Sequence, residues 1–439
     1  TIYDAQGNAT DSWGPAPTSY WSASTDTGAP SSGNQAATPH AVSVFDGGLN
    51  TLAATWWNNA AFTGDPRSHQ TGISPGTGPI DATWTTGSLP PSITSTTGFS
   101  GRLTGWINLP AAGTYTLRLD YGGQARLTVA NQVVVDGFVS GASSPLSANY
   151  TAAAAGWQPI SIDYSTSSST GSLALKWQQP GGSLQLVPAA NLAPGYGLET
   201  SSTDADGRTT STSYSASSID PYLGLATSTT VDPGSSPHLD LTSTTTYEAP
   251  SSTTYLRETG HTLPSGNDSK VTTSYWGATA TATDSCTGTS GINQGGLTDT
   301  VTAAAPGGSG GSGAIARATI YNQQALPAAT RVVADGSAWT CMTYDSRQRT
   351  TAVAYPDLTG AVGHSVETHY APAGNPLATT ITDTPTAGTA RTVTTVVDLL
   401  GQVRSHTDAW GKTTTTTYDQ VGRPTTVDSP VGTQTFTFN

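Results

Sequence analysis

The amino-acid sequence predicts an all-β protein of more than one domain. Three observations lead there. Threonine dominates runs such as residues 412–417, and a β-branched residue fits a pleated, half-buried strand better than a helix. Glycine (49) and proline (28) are frequent enough to mark many turns. No stretch carries a long helical period with caps at its ends. With 439 residues the chain has room for two or three domains.

Only 10% of the residues are charged, and the formal net charge is −13. The basic footprint that neutralises phosphates is missing, which excludes nucleic acid as a main partner. The same balance disfavours anionic membrane surfaces. No apolar run reaches the ~18 residues that span a bilayer. No secretory leader precedes residue 1. The chain starts and stops inside repeat-like units, Thr1-Ile2-Tyr3-Asp4 and Phe436-Thr437-Phe438-Asn439. This predicts a segment of a longer polypeptide, in which the missing leader carries no weight.

Residues 1–46 hold a repeat remnant, Ile2-Tyr3-Asp4-Ala5-Gln6-Gly7-Asn8, and a linker rich in Ser, Pro and Gly. From 47 to 198 the texture changes, and tryptophans and longer strands concentrate. Residues 99–107, 113–119, 125–129, 157–164 and 172–177 alternate apolar with polar, as half-buried strands do. Residues 133–138 form a continuous apolar run, expected of a strand covered on both faces. About ten short strands with a turn every 8–12 residues predict a two-sheet sandwich.

From 199 to 439 a Tyr-Asp signal recurs. It reads Tyr344-Asp345-Ser346-Arg347-Gln348-Arg349, then Asp398-Leu399-Leu400-Gly401-Gln402-Val403-Arg404, then Tyr418-Asp419-Gln420-Val421-Gly422-Arg423. Tyr214, Tyr247, Tyr275, Tyr321 and Tyr370 lead further units, and Asp204-Ala205-Asp206-Gly207-Arg208 is another turn. Each unit predicts strand, turn, strand. The Asp bonds backbone two residues on, Gly supplies the positive φ, and Arg lies on the returning strand. One hairpin cannot bury its apolar face, so neighbours must stack. The array tyrosines are expected to stack along the sheet at repeat spacing.

Cys286 and Cys341 bracket a Gly/Ser-rich stretch at 306–313. Neither stands beside a basic residue or His, which argues against a catalytic thiol. Two buried free thiols are one reading. The other is a disulfide closing the long loop, worth roughly 3–4 kcal/mol on the chain-entropy model. The Thr-rich, low-charge composition favours the disulfide, and with it an oxidising, extracellular location.

Catalytic patterns are missing. The seven histidines form no HExxH pattern and no Cys/His cluster, and His364 and His369 read as solvated loop residues. Asp204 and Asp206 lack the later Glu of a calcium loop. Residues 307–313 lack the Lys and helix of a phosphate loop. Asp136, Asp163 and Glu199 are the acids available for a carboxylate pair. No enzyme is expected within this chain. Trp106 and Trp177 are expected in the core. Trp57 and Trp84, nearer loops, are candidates to face a ligand. Trp410 is expected to be structural.

Residues 47–198 resemble a PA14 domain. The resemblance rests on Ala54-Thr55-Trp56-Trp57-Asn58-Asn59-Ala60-Ala61-Phe62-Thr63-Gly64, on Gly105-Trp106-Ile107-Asn108-Leu109-Pro110, and on Arg126-Leu127-Thr128-Val129. Val133-Val134-Val135-Asp136 and Gly171-Ser172-Leu173-Ala174-Leu175-Lys176-Trp177 extend it. It implies a two-sheet β-sandwich of a kind found in adhesins, glycosidases and toxins, and often a carbohydrate binder. Sugar-binding members hold calcium with two adjacent Asp before the Arg-Leu strand. Gly122-Gly123 stand there in this chain, leaving Asp120 and Asp163 as metal candidates. Trp57, Trp84, Asp120 and Phe138 are the candidate ligand contacts.

The repeats resemble those of the Rhs (Tyr-Asp repeat) family and are similar to Rhs-like proteins of actinobacteria. That resemblance implies a β-sheet spiralling into a hollow shell around a toxic C-terminal domain. The combined expectation is a secreted shell segment from which an inserted sandwich projects, its ends near 47 and 198 drawn together. The implied partners are the rest of the polypeptide, its enclosed domain and a cell-surface glycan. The alternative is an adhesin whose sandwich binds cell-wall glycan, with the repeats as stalk.

Overall fold

The computed structural model describes all residues except 22–27, 75, 235–236, 252, 306–313, 334–337, 358 and 360, and the side chain of Asn267. The Gly/Ser-rich stretch at 306–313 thus lies outside the described residues. The protein is nearly all β and divides into two compact units, Thr1–Thr245 and Thr246–Asn439. Among the described residues no helix is long and apolar enough to cross a membrane.

The first unit opens with β1 (Ile2–Tyr3), β2 (Ala9–Trp13) and β3 (His40–Phe45). A sandwich follows, made of β4 (Ala53–Trp57), β5 (Ser68–Thr71), β6 (Asp81–Trp84), β7 (Phe99–Leu109), β8 (Gly113–Gly122) and β9 (Gln124–Val129). It continues with β10 (Gln132–Asp136), β11 (Leu146–Ala152), β12 (Gly156–Thr166), β13 (Gly171–Gln178), β14 (Leu184–Leu186) and β15 (Leu192–Ala193). Then come β16 (Glu199–Thr203), β17 (Thr209–Ser213), β18 (Ser228–Val231) and β19 (Leu241–Tyr247).

One sandwich sheet runs β10-β9-β12-β7-β4-β5, with β15 beside β7. The other runs β11-β8-β13-β14, with β6 beside β13. Strict alternation sends one face of each inward. Leu103 and Ile107, Leu117 and Leu119, Ile162 and Tyr164, and Leu173 and Trp177 meet in one shared core. Gly101 is dictated by that packing, because a Cβ there would lie 2.3 Å from the Trp56 ring. Residues 133–138 depart from the expected doubly covered strand. β10 is an edge strand whose register shifts between Val133 and Val135, and Val133 is exposed while Val135 is buried. Ala130 and Asn131, both at positive φ, make the tight hairpin that joins it to β9.

The sandwich interrupts the repeat sheet without breaking it. β2 pairs with β3, β3 with β16, and β16 with β17, all antiparallel. The strand that leaves for the sandwich therefore lies beside the one that returns, with Phe45 opposite Glu199. Asp46 closes the neck. It is 4% exposed at φ +53, and its N–H donates to Leu198 O at 2.7 Å. Its carboxylate accepts from the N–H groups of Gly197 (3.1 Å) and Leu198 (3.0 Å).

The second unit is a run of antiparallel neighbours. It includes β20 (Glu258–Thr262), β21 (Val271–Tyr275), the short β22 (Thr281–Ala282) and β23 (Ile292–Asn293), and β24 (Thr298–Thr302). Next are β25 (Ala316–Tyr321), β26 (Pro327–Val332), β27 (Thr340–Tyr344), β28 (Thr350–Pro356), β29 (Val362–Tyr370) and β30 (Ala378–Pro385). It finishes with β31 (Arg391–Val397), β32 (Val403–Thr407), β33 (Thr413–Tyr418), β34 (Pro424–Ser429) and β35 (Gly432–Thr435). Cys286 and Cys341 form a disulfide across a separation of 55 residues. Closing a loop of that length is worth about 4 kcal/mol on the chain-entropy model.

Candidate functional sites on the sandwich and in the array turns

Cross-strand register assembles a polar row on the outer face of the first sandwich sheet. Asp136 lies opposite Arg126, Arg126 opposite Asp163, Asp163 opposite Arg102, Arg102 opposite Thr55, and Thr55 opposite His69. Arg102 Nε donates to Asp163 Oδ1 at 2.6 Å, and Arg126 Nη2 lies 3.2 Å from Asp136 Oδ2. Burial alone would push the Asp136 carboxyl up. The Phe138 N–H and the Arg126 guanidinium outweigh it and hold the group below the usual carboxylate range.

Aromatic rings lie over this row. Phe62 covers the Arg102 guanidinium at 5.7 Å and Phe138 covers that of Arg126 at 5.3 Å. Phe62 lies 6.3 Å from Phe138 and 5.8 Å from Trp57. The Trp57 indole N–H donates to Gly64 O at 3.1 Å. Two of the sequence candidates, Trp57 and Phe138, are thus joined into one strip by Phe62. Sequence reasoning missed Phe62 as a site residue. The available signal was the Asx turn beneath it, in which Asn59 Oδ1 accepts from the N–H groups of Ala61 and Thr63.

Trp84 is not part of the strip. Its side chain is 5% exposed and packs against Trp56, Phe99 and Tyr164 at 5.3, 5.5 and 5.0 Å. A ring enclosed in the core has no face for a ligand, which corrects the expectation from its position near a loop. Trp177 is buried in the same core, while Trp106 is only half-buried.

Asp120 and Asp163 do not form a joint metal site. They sit on β8 and β12, on opposite outer faces. Both Asp120 oxygens are engaged, by Arg118 Nε at 2.5 Å and Lys176 Nζ at 2.7 Å. Desolvation would raise this carboxyl, but the two cationic donors hold it below the usual range. Asp163 is taken by Arg102. At Gly123 (φ +130) a Cβ would lie 2.5 Å from Ser165 O, so the backbone occupies the space that a side chain would need. Among the described residues no group of three or more His, Cys, Asp or Glu is placed to hold a metal ion. Calcium, with its need for six to eight oxygen ligands, does not fit this donor set.

A second tether joins the sandwich to the repeats of the same unit. Asp220 accepts from Thr71 N (3.0 Å) and Thr71 Oγ1 (2.5 Å), occupying a backbone donor of the edge strand β5. The His69 ring packs edge-on against Tyr222 at 4.7 Å, and its Nδ1 lies 2.7 Å from Thr55 Oγ1. Burial holds the imidazole below its ordinary value, with the Asp220 charge pulling the other way.

In the array, a recurring turn among the described residues is built on one carboxylate or amide oxygen. Oδ1 of Asp345 accepts from the N–H groups of Arg347 and Arg349; Oδ1 of Asp398 from Leu400 and Gln402; Oδ1 of Asp419 from Val421 and Arg423. Asp4, Asp204, Asn322, Asp357 and Asp408 do the same two and four residues on. Among the described residues, the third residue after Asp4, Asp204, Asn322, Asp345, Asp398, Asp408 and Asp419 takes the left-handed conformation, as Gly401 (φ +78) and Gly422 (φ +85) do. This is a type I turn with a glycine bulge. The N–H of Arg349 leads the contacts that hold the Asp345 carboxyl below the usual range, and that of Arg423 does so for Asp419.

Successive units interlock. The Arg349 guanidinium, paired with Asp345, lies 3.9 Å over the ring of Tyr370, whose hydroxyl donates back to Thr350 O at 3.1 Å. Arg404 lies over Tyr418 at 5.6 Å, and Tyr418 donates to Val403 O at 2.9 Å. Arg257 over Tyr275 and the bond from Tyr275 to Glu258 O repeat the pattern. Tyr344 donates to Pro327 O at 2.8 Å. The expected stacking of tyrosine on tyrosine is therefore corrected. Among the described residues no ring pair joins two array tyrosines, and at Tyr275, Tyr370 and Tyr418 an arginine from the preceding turn takes the ring face. Trp410 sits at a hairpin tip with 83% exposure, outside any packing.

The acids named for a carboxylate pair are committed elsewhere. Asp136 and Asp163 pair with arginines, and Glu199 accepts from Ser43 Oγ at 2.7 Å.

Residues 48–191 match the family model of the PA14 domain, and residues 398–434 match that of the RHS Repeat. No curated protein sequence matches the chain. One similar solved structure is an anti-sigma factor domain-containing protein from Clostridium clariflavum (20% identity, TM-score 0.30). The match covers 33% of this chain and 47% of that one, so the chain spans about half its length. Another is a PA14 sugar-binding domain from an RTX adhesin (16% identity, TM-score 0.27; 33% of this chain, 97% of that one). A third is the Epithelial Adhesin 6 A domain from Candida glabrata in complex with Galb1-3GlcNAc (10% identity, TM-score 0.27; 33% and 87%).

Proposed function

We propose that this Rhs/Tyr-Asp-repeat chain with its PA14 domain is a non-catalytic scaffold segment of a large secreted protein. Its repeats contribute part of a hollow β-shell that encloses a C-terminal toxin or effector, and its sandwich projects outward as an accessory module. The carrying observation is the neck: β3 and β16 pair across the insertion and Asp46 staples its two ends. An insertion that leaves the sheet continuous suits a wall that must stay closed while displaying a domain. The interlocked Arg–Tyr contacts support the same reading, since each unit is fixed by its neighbour rather than by a central core. Electron cryomicroscopy of the parent polypeptide tests it. A closed wall with density inside is the expected result; an open, empty stalk overturns it.

A second reading rests on the strip of Trp57, Phe62 and Phe138. Half-buried aromatic rings on a sandwich face suit calcium-free contact with a surface glycan, to which the sandwich would adhere. Binding of the chain to a glycan panel, compared with W57A and F138A, checks this reading. Loss of roughly tenfold or more in affinity is expected, and wild-type binding by both variants counts against it.

A further inference from the structure

Residues 276–297 leave the regular hairpin series of the second unit and cross it as a strap. Its root is closed by Trp276 N to Leu297 O (2.8 Å) and Gly296 N to Trp276 O (3.1 Å). Hydrogen bonds fix that root to β25. Trp276 Nε1 donates to Thr319 O at 3.4 Å. Gln294, 0% exposed, donates through Nε2 to Tyr321 O and accepts from Tyr321 N, both at 2.9 Å, as a neighbouring strand would. Beyond the root the strap forms the β22–β23 hairpin and reaches its tip at Cys286. Buried Asp284 shapes the tip by accepting from Cys286 N at 2.8 Å and Thr287 Oγ1 at 2.8 Å. The tip passes β26, with Cys286 Sγ 3.7 Å from Ala328 O, and is bonded to Cys341 on β27.

The strap also organises what this unit buries. Among its described residues the buried apolar side chains are Ile292, Ala305, Ile320, Ala328, Ala329 and Ala378. Ile292 is on the strap, Ile320 adjoins the Tyr321 anchor, the Ala328 carbonyl meets Cys286 Sγ, and Ala329 lies opposite Cys341 in register. Elsewhere the unit is held by strand ladders and turn contacts. One end of the strap is therefore anchored by hydrogen bonds to β25 and the other by a covalent bond to β27.

We infer that this strap is a redox-released clasp on the repeat wall, a regulation that rests on the enclosure reading above. A dithiol reductant attacks one sulfur of the Cys286–Cys341 bond and forms a mixed disulfide. Its second thiol then displaces the protein sulfur. The protein gains two thiols, the reductant becomes its own disulfide, and two electrons and two protons pass between them. The tip then lifts from β26 and β27 while the root on β25 persists. The wall keeps its ladders, Ala329 opposite Cys341 included, but loses the Cys286 contact at the Ala328 carbonyl. In an oxidising exterior the clasp stays shut, and in a reducing interior it opens.

The test uses the whole 439-residue chain, oxidised and after dithiothreitol. Hydrogen exchange is followed at the strap amides, at the β25–β26 pairing and in the sandwich. Acceleration of about tenfold or more at Cys286 and Ile292, with β25–β26 and the sandwich unchanged, is the expected outcome. A C286S/C341S variant should show the accelerated pattern without reductant, with the sandwich as its folding control. Unchanged exchange on reduction overturns the inference. So does loss of protection across the whole second unit, which makes the bond a global staple. These readouts concern the strap alone, so they stand apart from whether the parent protein encloses cargo. In the parent protein, reductant-triggered protease access to polypeptide after residue 439 links the two. A strap that lifts without any change in that access overturns its role as a clasp on the wall.

Discussion

The N–H of Asp46 donates to the carbonyl of Leu198 at 2.7 Å, although 152 residues separate them. Everything between is the sandwich and its two short connections. One buried side chain thus sets where the inserted domain begins and ends. D46A removes the acceptor for Gly197 and Leu198 N–H and places Ala at a left-handed φ. A loss of about 1–3 kcal/mol is expected in urea unfolding followed by fluorescence. D46N keeps one acceptor and tolerates the conformation, so it should recover about half. Wild-type stability for D46A contradicts the stapled neck.

The interlock between turns predicts coupling between residues of different units. R349A and Y370L should each destabilise the array locally. Their double-mutant cycle should return an interaction of about 0.5–1 kcal/mol. Y370F keeps the ring and should lose only the bond to Thr350, about 0.5–1.5 kcal/mol. Strict additivity of R349A and Y370L would remove the arginine–tyrosine contact from the account.

Glu248 provides a pH test in the second unit. Its hydrogen bonds with Arg257 lead the effects that bring its carboxyl down to about 2, outweighing desolvation. A carboxyl depressed on folding contributes stability that is complete above its unfolded value near 4.5. That contribution is lost as pH falls toward about 2. The wild-type protein should therefore lose stability across this window more steeply than E248Q. Parallel pH profiles for the two proteins count against the pair.

His69 gives a second test, of the tether to Asp220. Because burial lowers its pKa, the neutral ring is the form that folding favours. Its contribution is complete above the ordinary value near 6.5 and is lost as pH falls below it. NMR titration should place His69 below 6.5, and D220N, which removes the opposing charge, should lower it further. A midpoint above 6.5 contradicts the buried placement.

Calcium should leave the melting temperature unchanged, because Lys176 and Arg118 already neutralise Asp120. D120N should destabilise the sandwich by leaving two cations unpaired. A rise of several degrees on adding calcium would show that oxygen ligands assemble around the ion after all.

Much of the fold is legible in the sequence. Alternation over residues 99–177 marks the sandwich strands because each has one face in the core. The Asp-x-x-Gly turns are legible because one side-chain oxygen and one positive φ define them locally. Cross-strand register is not local, so the row from Asp136 to His69 could not be read. Trp84 shows the same limit: a short strand near loops does not reveal which face its tryptophan takes. Asp46 and Asp220 were missed because each meets partners about 150 residues away. The Arg–Tyr interlock escaped for a related reason, since it joins the end of one unit to the start of the next.

Limited proteolysis of the native parent protein, with peptides identified by mass spectrometry, tests the scaffold account most directly. The account predicts early cuts in the sandwich loops, near residues 58–64 and 137–142. It predicts late or no cuts in the polypeptide after residue 439 until the repeats are denatured. Rapid cleavage of that polypeptide from the intact array, or a chain that ends without any further domain, contradicts enclosure and leaves adhesion by the sandwich as the function.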